Sequence, residues 1–172
     1  MSRGRVVITG FMGAGKTTVG RALARILGET FIDLDDAVRE FEGRGPRELI
    51  DAEGEESFRE SETRALRRVL EEGSARVVAT GGGAWTLARN RSLVAEHGCL
   101  SVWLDAPFEL CLRRIEDQGG RDSRPFARDI ERARRLYAER LAAYRQADFR
   151  VSVAEESGAD DLAAEIAAAL SA

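Results

Sequence analysis

Between residues 10 and 18 the chain reads GFMGAGKTT, and Gly10, Gly15, Lys16 and Thr17 stand at the spacing of a phosphate-binding loop. Glycines in such a loop let backbone N–H groups turn inward around phosphate oxygens, here those of Gly13, Ala14, Gly15, Lys16, Thr17 and Thr18. Lys16 would reach the β and γ phosphates, and the Thr17 hydroxyl would ligate Mg²⁺. The chain has 26 basic residues, and Lys16 is the only lysine among them. A compact ammonium on a flexible stem suits a phosphate at that point better than a planar guanidinium. A short β-branched run precedes the loop and an amphipathic helical pattern follows it, so the helix presents its positive end to the same anion.

A second glycine run, Gly81, Gly82 and Gly83 in ATGGGAW, ends the apolar segment RVVAT. Three consecutive glycines weaken helix and strand alike. At the carboxyl edge of a parallel sheet, their backbone can come close to a ligand. Many phosphate-loop proteins end a second apolar strand in a metal-binding aspartate. RVVAT offers none, whereas TFID ends in Asp33 and CLSVWLD in Asp105. Asp105 precedes a helix start and reads as its cap, which leaves Asp33 to hold the Mg²⁺ shell, through water. Asp35 reads either as the N-cap of a helix over Asp36–Glu42 or as a site carboxylate.

Arg59 has Glu62 three residues on, on the same helix face, as an orienting partner or as a surface ion pair. In the long helix near the C-terminus, Ile130, Ala133, Tyr137, Leu141 and Tyr144 form the inward stripe. Arg134 and Arg140 border it, and periodicity alone does not choose between them. With His97 near a helix end, any general base is expected to be a carboxylate. No N-K-x-D tetrapeptide occurs, which disfavours a guanine-nucleotide switch.

The elements that must position these residues follow from periodicity. Strands are expected at Arg5–Thr9, TFID, RVVAT, CLSVWLD and FRVSV. Helices are expected after the phosphate loop, over Asp36–Glu42, Pro46–Ala52, Glu55–Glu72, 86–97, 107–118 and about 128–147, and from Asp160. Strands alternating with helices imply an α/β fold, a five-stranded parallel sheet in a three-layer α/β/α arrangement. The length of 172 residues fits a single domain, 1–172. Its net charge of −4 gives no nucleic-acid footprint. No apolar run approaches the roughly 20 residues that span a membrane. A monomer in the cytoplasm is expected, with Cys99 and Cys111 as reduced buried thiols.

The segments GFMGAGKTTVGRALA, FIDLDD, GEESFRESE, VVATGGGA, SRPF and YAERLAAYRQAD, in this order and spacing, resemble the shikimate kinases over roughly residues 5 to 150. The resemblance implies a P-loop kinase of the nucleoside monophosphate kinase type, with an acceptor-binding region over about 33–62 and a mobile lid over about 117–128. It implies phosphorylation of the 3-hydroxyl of shikimate by ATP with Mg²⁺ as cofactor. Arg59 and Arg140 would bind the acceptor carboxylate, Asp35 would meet the ring hydroxyls, and Gly81, Gly82 and Gly83 would line the acceptor pocket. Arg124 would reach the ATP phosphates from the lid, with Arg121 assisting. Arg113 and Arg114 could stack on adenine. Two departures stand out: Phe126 replaces a leucine after the Arg-Pro pair, and Trp85 replaces a small β-branched residue where it could narrow the pocket. A kinase for another polyol acid such as gluconate, or a non-catalytic nucleotide-binding module, is the alternative.

Overall fold

The computed structural model describes residues 4–118 and 129–171. Arg121, Arg124, Phe126 and most of the expected lid therefore lie outside the described residues.

The chain begins with β1 (Val6–Thr9), α1 (Lys16–Leu27), β2 (Phe31–Asp33), α2 (Leu34–Glu42), α3 (Pro46–Glu53) and α4 (Glu55–Glu72). β3 (Val77–Ala79), a 3₁₀ turn (Ala84–Thr86), α5 (Ala88–Glu96), β4 (Leu100–Asp105) and α6 (Phe108–Asp117) follow. α7 (Ile130–Tyr144), β5 (Phe149–Ser152) and α8 (Ala159–Ala169) come last. The five strands form one parallel sheet in the order β2-β3-β1-β4-β5. β1 and β3 are buried throughout, as central parallel strands with both faces covered must be. α1 and α8 pack on each other and on the sheet, while α4 and α5 pack together with α5 against β4. No helix among the described residues is long and apolar enough to cross a membrane.

Sheet order makes the two glycine loops neighbours. β1 pairs with β3, and the pairing continues past β3 through Thr80, whose backbone N–H donates to Ile8 O at 2.9 Å. The phosphate loop and the glycine run thus leave the same edge side by side. On the far side of β3, Asp33 pairs in register with Ala79, which brings the acidic end of β2 to the same place.

Several expected boundaries shift for identifiable reasons. α2 starts at Leu34, because Asp33 is extended and its carboxylate accepts the Asp35 N–H at 2.9 Å. Asp33 is therefore the N-cap, and Asp35 sits in the first turn. Asp105 does not cap α6, whose N-cap is Pro107; it is held instead by the Arg150 guanidinium at 2.5 Å. The helix expected over 86–97 is α5, which starts two residues later, after the 3₁₀ turn. In α7, Ile130 is exposed at its start, while Arg140 is only 8% exposed. Arg134 lies over the Phe108 ring and pairs with Glu109 at the surface, so burial separates two arginines that periodicity could not. Cys99 and Cys111 are free and buried, and burial pushes the Cys111 thiol up to about 11.

Candidate active site

The phosphate loop is shaped by glycines with left-handed backbone. Gly13 has φ 77°, and a Cβ there would stand 2.6 Å from Cys111 O; Gly15, with φ 98°, is the N-cap of α1. The first turn of α1 carries no acidic residue, so its positive end is not neutralised within the helix. The Lys16 ammonium donates to Gly10 O at 2.8 Å and to Phe11 O at 2.9 Å. The Thr17 hydroxyl donates to Asp33 Oδ2 at 2.7 Å.

A cleft of about 460 Å³ opens over this loop. Gly13 to Thr18 line it together with Asp33, Asp35, Gly81, Gly82 and Arg114. Ser157, Ala159 and Leu162 line it as well, a contribution for which the sequence carries no signal. Of the two arginines proposed near a base, only Arg114 reaches the cleft, donating to Ala14 O at 3.2 Å. Arg113 points to the surface and pairs with Glu155.

Each residue of the second glycine run lies against a charged side chain. A Cβ on Gly81 would stand 2.9 Å from Glu62 Oε1 and 3.2 Å from Asp35 Oδ1. One on Gly82 would stand 3.1 Å from Arg140 Nη1, and one on Gly83 would overlap the Arg59 guanidinium. Gly83 itself has an ordinary backbone, φ −93° and ψ −17°. A side chain here would meet the arginine beside it and displace its guanidinium, while the backbone angles themselves suit any residue. Arg59, Arg140, Asp35 and the glycine run therefore converge, although Arg59 and Arg140 border the cleft instead of lining it.

Arg59 is no surface ion pair. Its side chain is 17% exposed, and its Nη1 donates to Oε2 of the fully buried Glu62 at 2.7 Å. Glu62 Oε1 has no hydrogen-bond partner among the described residues. Burial pushes the Glu62 carboxyl above the usual carboxylate range; the Arg59 charge opposes this, and Asp35 adds to it. A raised native pKa means that the fold holds this proton more tightly than the unfolded chain does. The resulting stability is full below about pH 4.3, the unperturbed glutamate value, and is lost as pH rises through the native pKa. Glu62→Gln removes that dependence, so its stability relative to the unsubstituted protein should improve from pH 5 to pH 8. Urea midpoints measured across this range check it, and parallel midpoints would contradict it.

Two residues matter here that sequence reasoning left without a role. The buried Tyr144 hydroxyl donates to Gly82 O at 2.6 Å, and burial pushes its pKa up to about 12, so it remains a donor. Asn90, 1% exposed, donates to Ala84 O at 2.9 Å and accepts from Thr63 Oγ1 at 2.8 Å. A polar residue on the inward face of α5 was the available clue. Trp85, which the sequence left able to narrow the pocket, is 3% exposed and turns toward α7, outside the lining of the cleft.

The donor set of Thr17 and Asp33 suits Mg²⁺, a hard cation that keeps water and phosphate in most of its shell. Among the described residues no cluster of three or more His, Cys, Asp or Glu forms a metal cage.

Comparisons with known proteins identify the family. A family model described as shikimate kinase matches residues 12–171. A shikimate kinase from Geobacter sulfurreducens is 45% identical over 162 residues, covering 94% of this chain and 88% of the relative. One from Ruegeria pomeroyi is 39% identical over 168 residues, covering 96% and 84%. Among solved structures, the shikimate kinase of Acinetobacter baumannii in complex with shikimate superposes with a TM-score of 0.85 at 35% identity. That alignment covers 97% of this chain and 92% of the other.

Proposed function

The chain belongs to the shikimate kinase family, and we propose that it moves the γ-phosphoryl group of ATP to the 3-hydroxyl of shikimate. The product is shikimate 3-phosphate, an intermediate on the route to aromatic amino acids. One observation carries the reading at the level of residues: the phosphate loop and the Gly81–Gly83 loop leave adjacent strands, with Asp35, Arg59 and Arg140 gathered around the second loop.

Lys16 and the α1 N-terminus hold the donor phosphates, and Arg114 borders the same cleft. Thr17 and Asp33 would hold Mg²⁺, which when bound neutralises charge on the phosphates. Arg59 and Arg140 grip the shikimate carboxylate, for which a planar guanidinium is the matching partner. Asp35 accepts the hydrogen bond of the attacking hydroxyl and takes its proton late, as the new O–P bond forms and the β–γ bridge breaks. A loose transition state asks little of a base early on, so orientation is its larger task. Arg124, which the resemblance assigns to the ATP phosphates, lies outside the described residues. The proposed working form is a monomer in the cytoplasm.

ADP release coupled to an optical assay, with ATP and Mg²⁺ and with shikimate, gluconate or no acceptor, tests the reading. Turnover should depend on shikimate. Turnover with gluconate, or without any acceptor, would overturn it.

Gly83→Ala should act on the acceptor alone. The added methyl displaces the Arg59 guanidinium, so KM for shikimate should rise about 10- to 100-fold, the range of a lost charge-assisted contact. KM for ATP should stay within a factor of two, because the phosphate loop is untouched. Equal rises for both substrates would contradict the assignment.

A further inference from the structure

Two hydrogen bonds join the glycine run to the last turn of α7, and they run in opposite directions. Tyr144 gives its hydroxyl proton to Gly82 O at 2.6 Å. Trp85 gives its indole N–H to Ala143 O at 2.9 Å. Both side chains are buried, and Trp103 stacks on Tyr144 with ring centroids 6.1 Å apart. The main chain of Trp85 is also fixed: Arg91 Nη1 donates to Trp85 O at 2.7 Å and to Thr86 O at 3.0 Å.

This clasp lies next to Arg140. Arg140 is one turn before Tyr144 on the same face of α7. Its Nη1 stands 3.1 Å from the point a Cβ on Gly82 would occupy. Gly82 is thus touched by the clasp and by the arginine at once. If α7 slid or rolled against the loop, Arg140 would move relative to Gly82. The indole N–H opposes such a slip, and an aliphatic side chain at position 85 has no donor with which to do so.

We infer that Trp85 is a positioning residue, which together with Tyr144 holds Arg140 in place for the acceptor carboxylate. The inference rests on the assignment of Arg140 to the acceptor. It also explains how a bulky ring can follow the glycine run without entering the cleft.

Trp85→Phe keeps an aromatic ring and removes the N–H, while Tyr144→Phe removes the other bond with little change of volume. Each should raise KM for shikimate about 3- to 10-fold, as for a lost buried hydrogen bond. kcat and KM for ATP should stay within twofold. In an Arg140→Ala background, Trp85→Phe should change KM for shikimate by less than twofold, since the residue it positions is gone. A lowered melting temperature with unchanged KM, or an equal rise in KM without Arg140, would overturn the inference. Hydrogen exchange reads the clasp without any acceptor, so its outcome is separable from the identity of the substrate. Trp85→Phe should speed exchange over 82–87 and 141–147 together, and faster exchange in only one segment, or in neither, would overturn it.

Discussion

Asp35→Asn is expected to lower kcat by about 10²- to 10⁴-fold, the range for losing a positioned proton acceptor. The carboxylate lines the cleft beside Gly81, on the acceptor side of the phosphate loop. The replacement keeps size and helix position but turns part of an acceptor-only group into a donor. An amide cannot take the hydroxyl proton, and one of its two orientations would point N–H groups at the hydroxyl. The fold should survive, because the Asp35 backbone N–H, not its side chain, makes the capping bond to Asp33. Steady-state kinetics beside circular dichroism separate the two effects. Loss of secondary structure, or kcat within tenfold of the unsubstituted enzyme, would count against the assignment.

Lys16→Ala should cost on the order of 10³-fold in kcat, as for other preorganised groups aimed at developing charge. Lys16 is the chain's only lysine, so no other lysine can take over. Its ammonium is held by the carbonyls of Gly10 and Phe11 within the loop, over the mouth of α1. Lys16→Arg should recover less than about a tenth of the lost rate, because a planar fork cannot occupy the same point between two carbonyls and a phosphate. Recovery to near full activity would mean that charge alone suffices. Nucleotide affinity measured separately, with a fluorescent ATP analogue, distinguishes lost binding from lost transfer.

Much of this site was legible because its chemistry is local. The phosphate loop is a run of contiguous residues with one backbone shape, and the strand–loop–helix context around Lys16 is written in periodicity. The five strands and their parallel pairing were likewise read from short apolar runs between helices. What was not legible depends on contacts between distant segments. The sequence offers two ways to read Asp35 and Asp105, and in each case the outcome turns on a neighbour. Asp33 takes the cap of α2, and Asp35, in the first turn, lines the cleft. Arg150, on the adjacent strand, takes Asp105. Arg134 and Arg140 differ by burial, which a helical wheel does not contain. The glycine run shows the limit most clearly. Its position at the sheet edge was evident, but its cause was not backbone freedom: Glu62, Asp35, Arg140 and Arg59 come from three helices to stand where three Cβ atoms would be. The direction of the Trp85 ring was not legible for the same reason, since only the position of α7 reveals which way the ring turns.

The most direct test follows phosphorus itself. The purified chain, incubated with ATP, Mg²⁺ and one equivalent of shikimate, is observed by ³¹P NMR. A phosphomonoester resonance that grows in step with ADP, depends on shikimate and grows at least about 100-fold more slowly with Asp35→Asn is the predicted result. Inorganic phosphate in its place, or ATP left intact while nucleotide remains bound, would contradict transfer to the acceptor and with it the assignment of the second glycine loop.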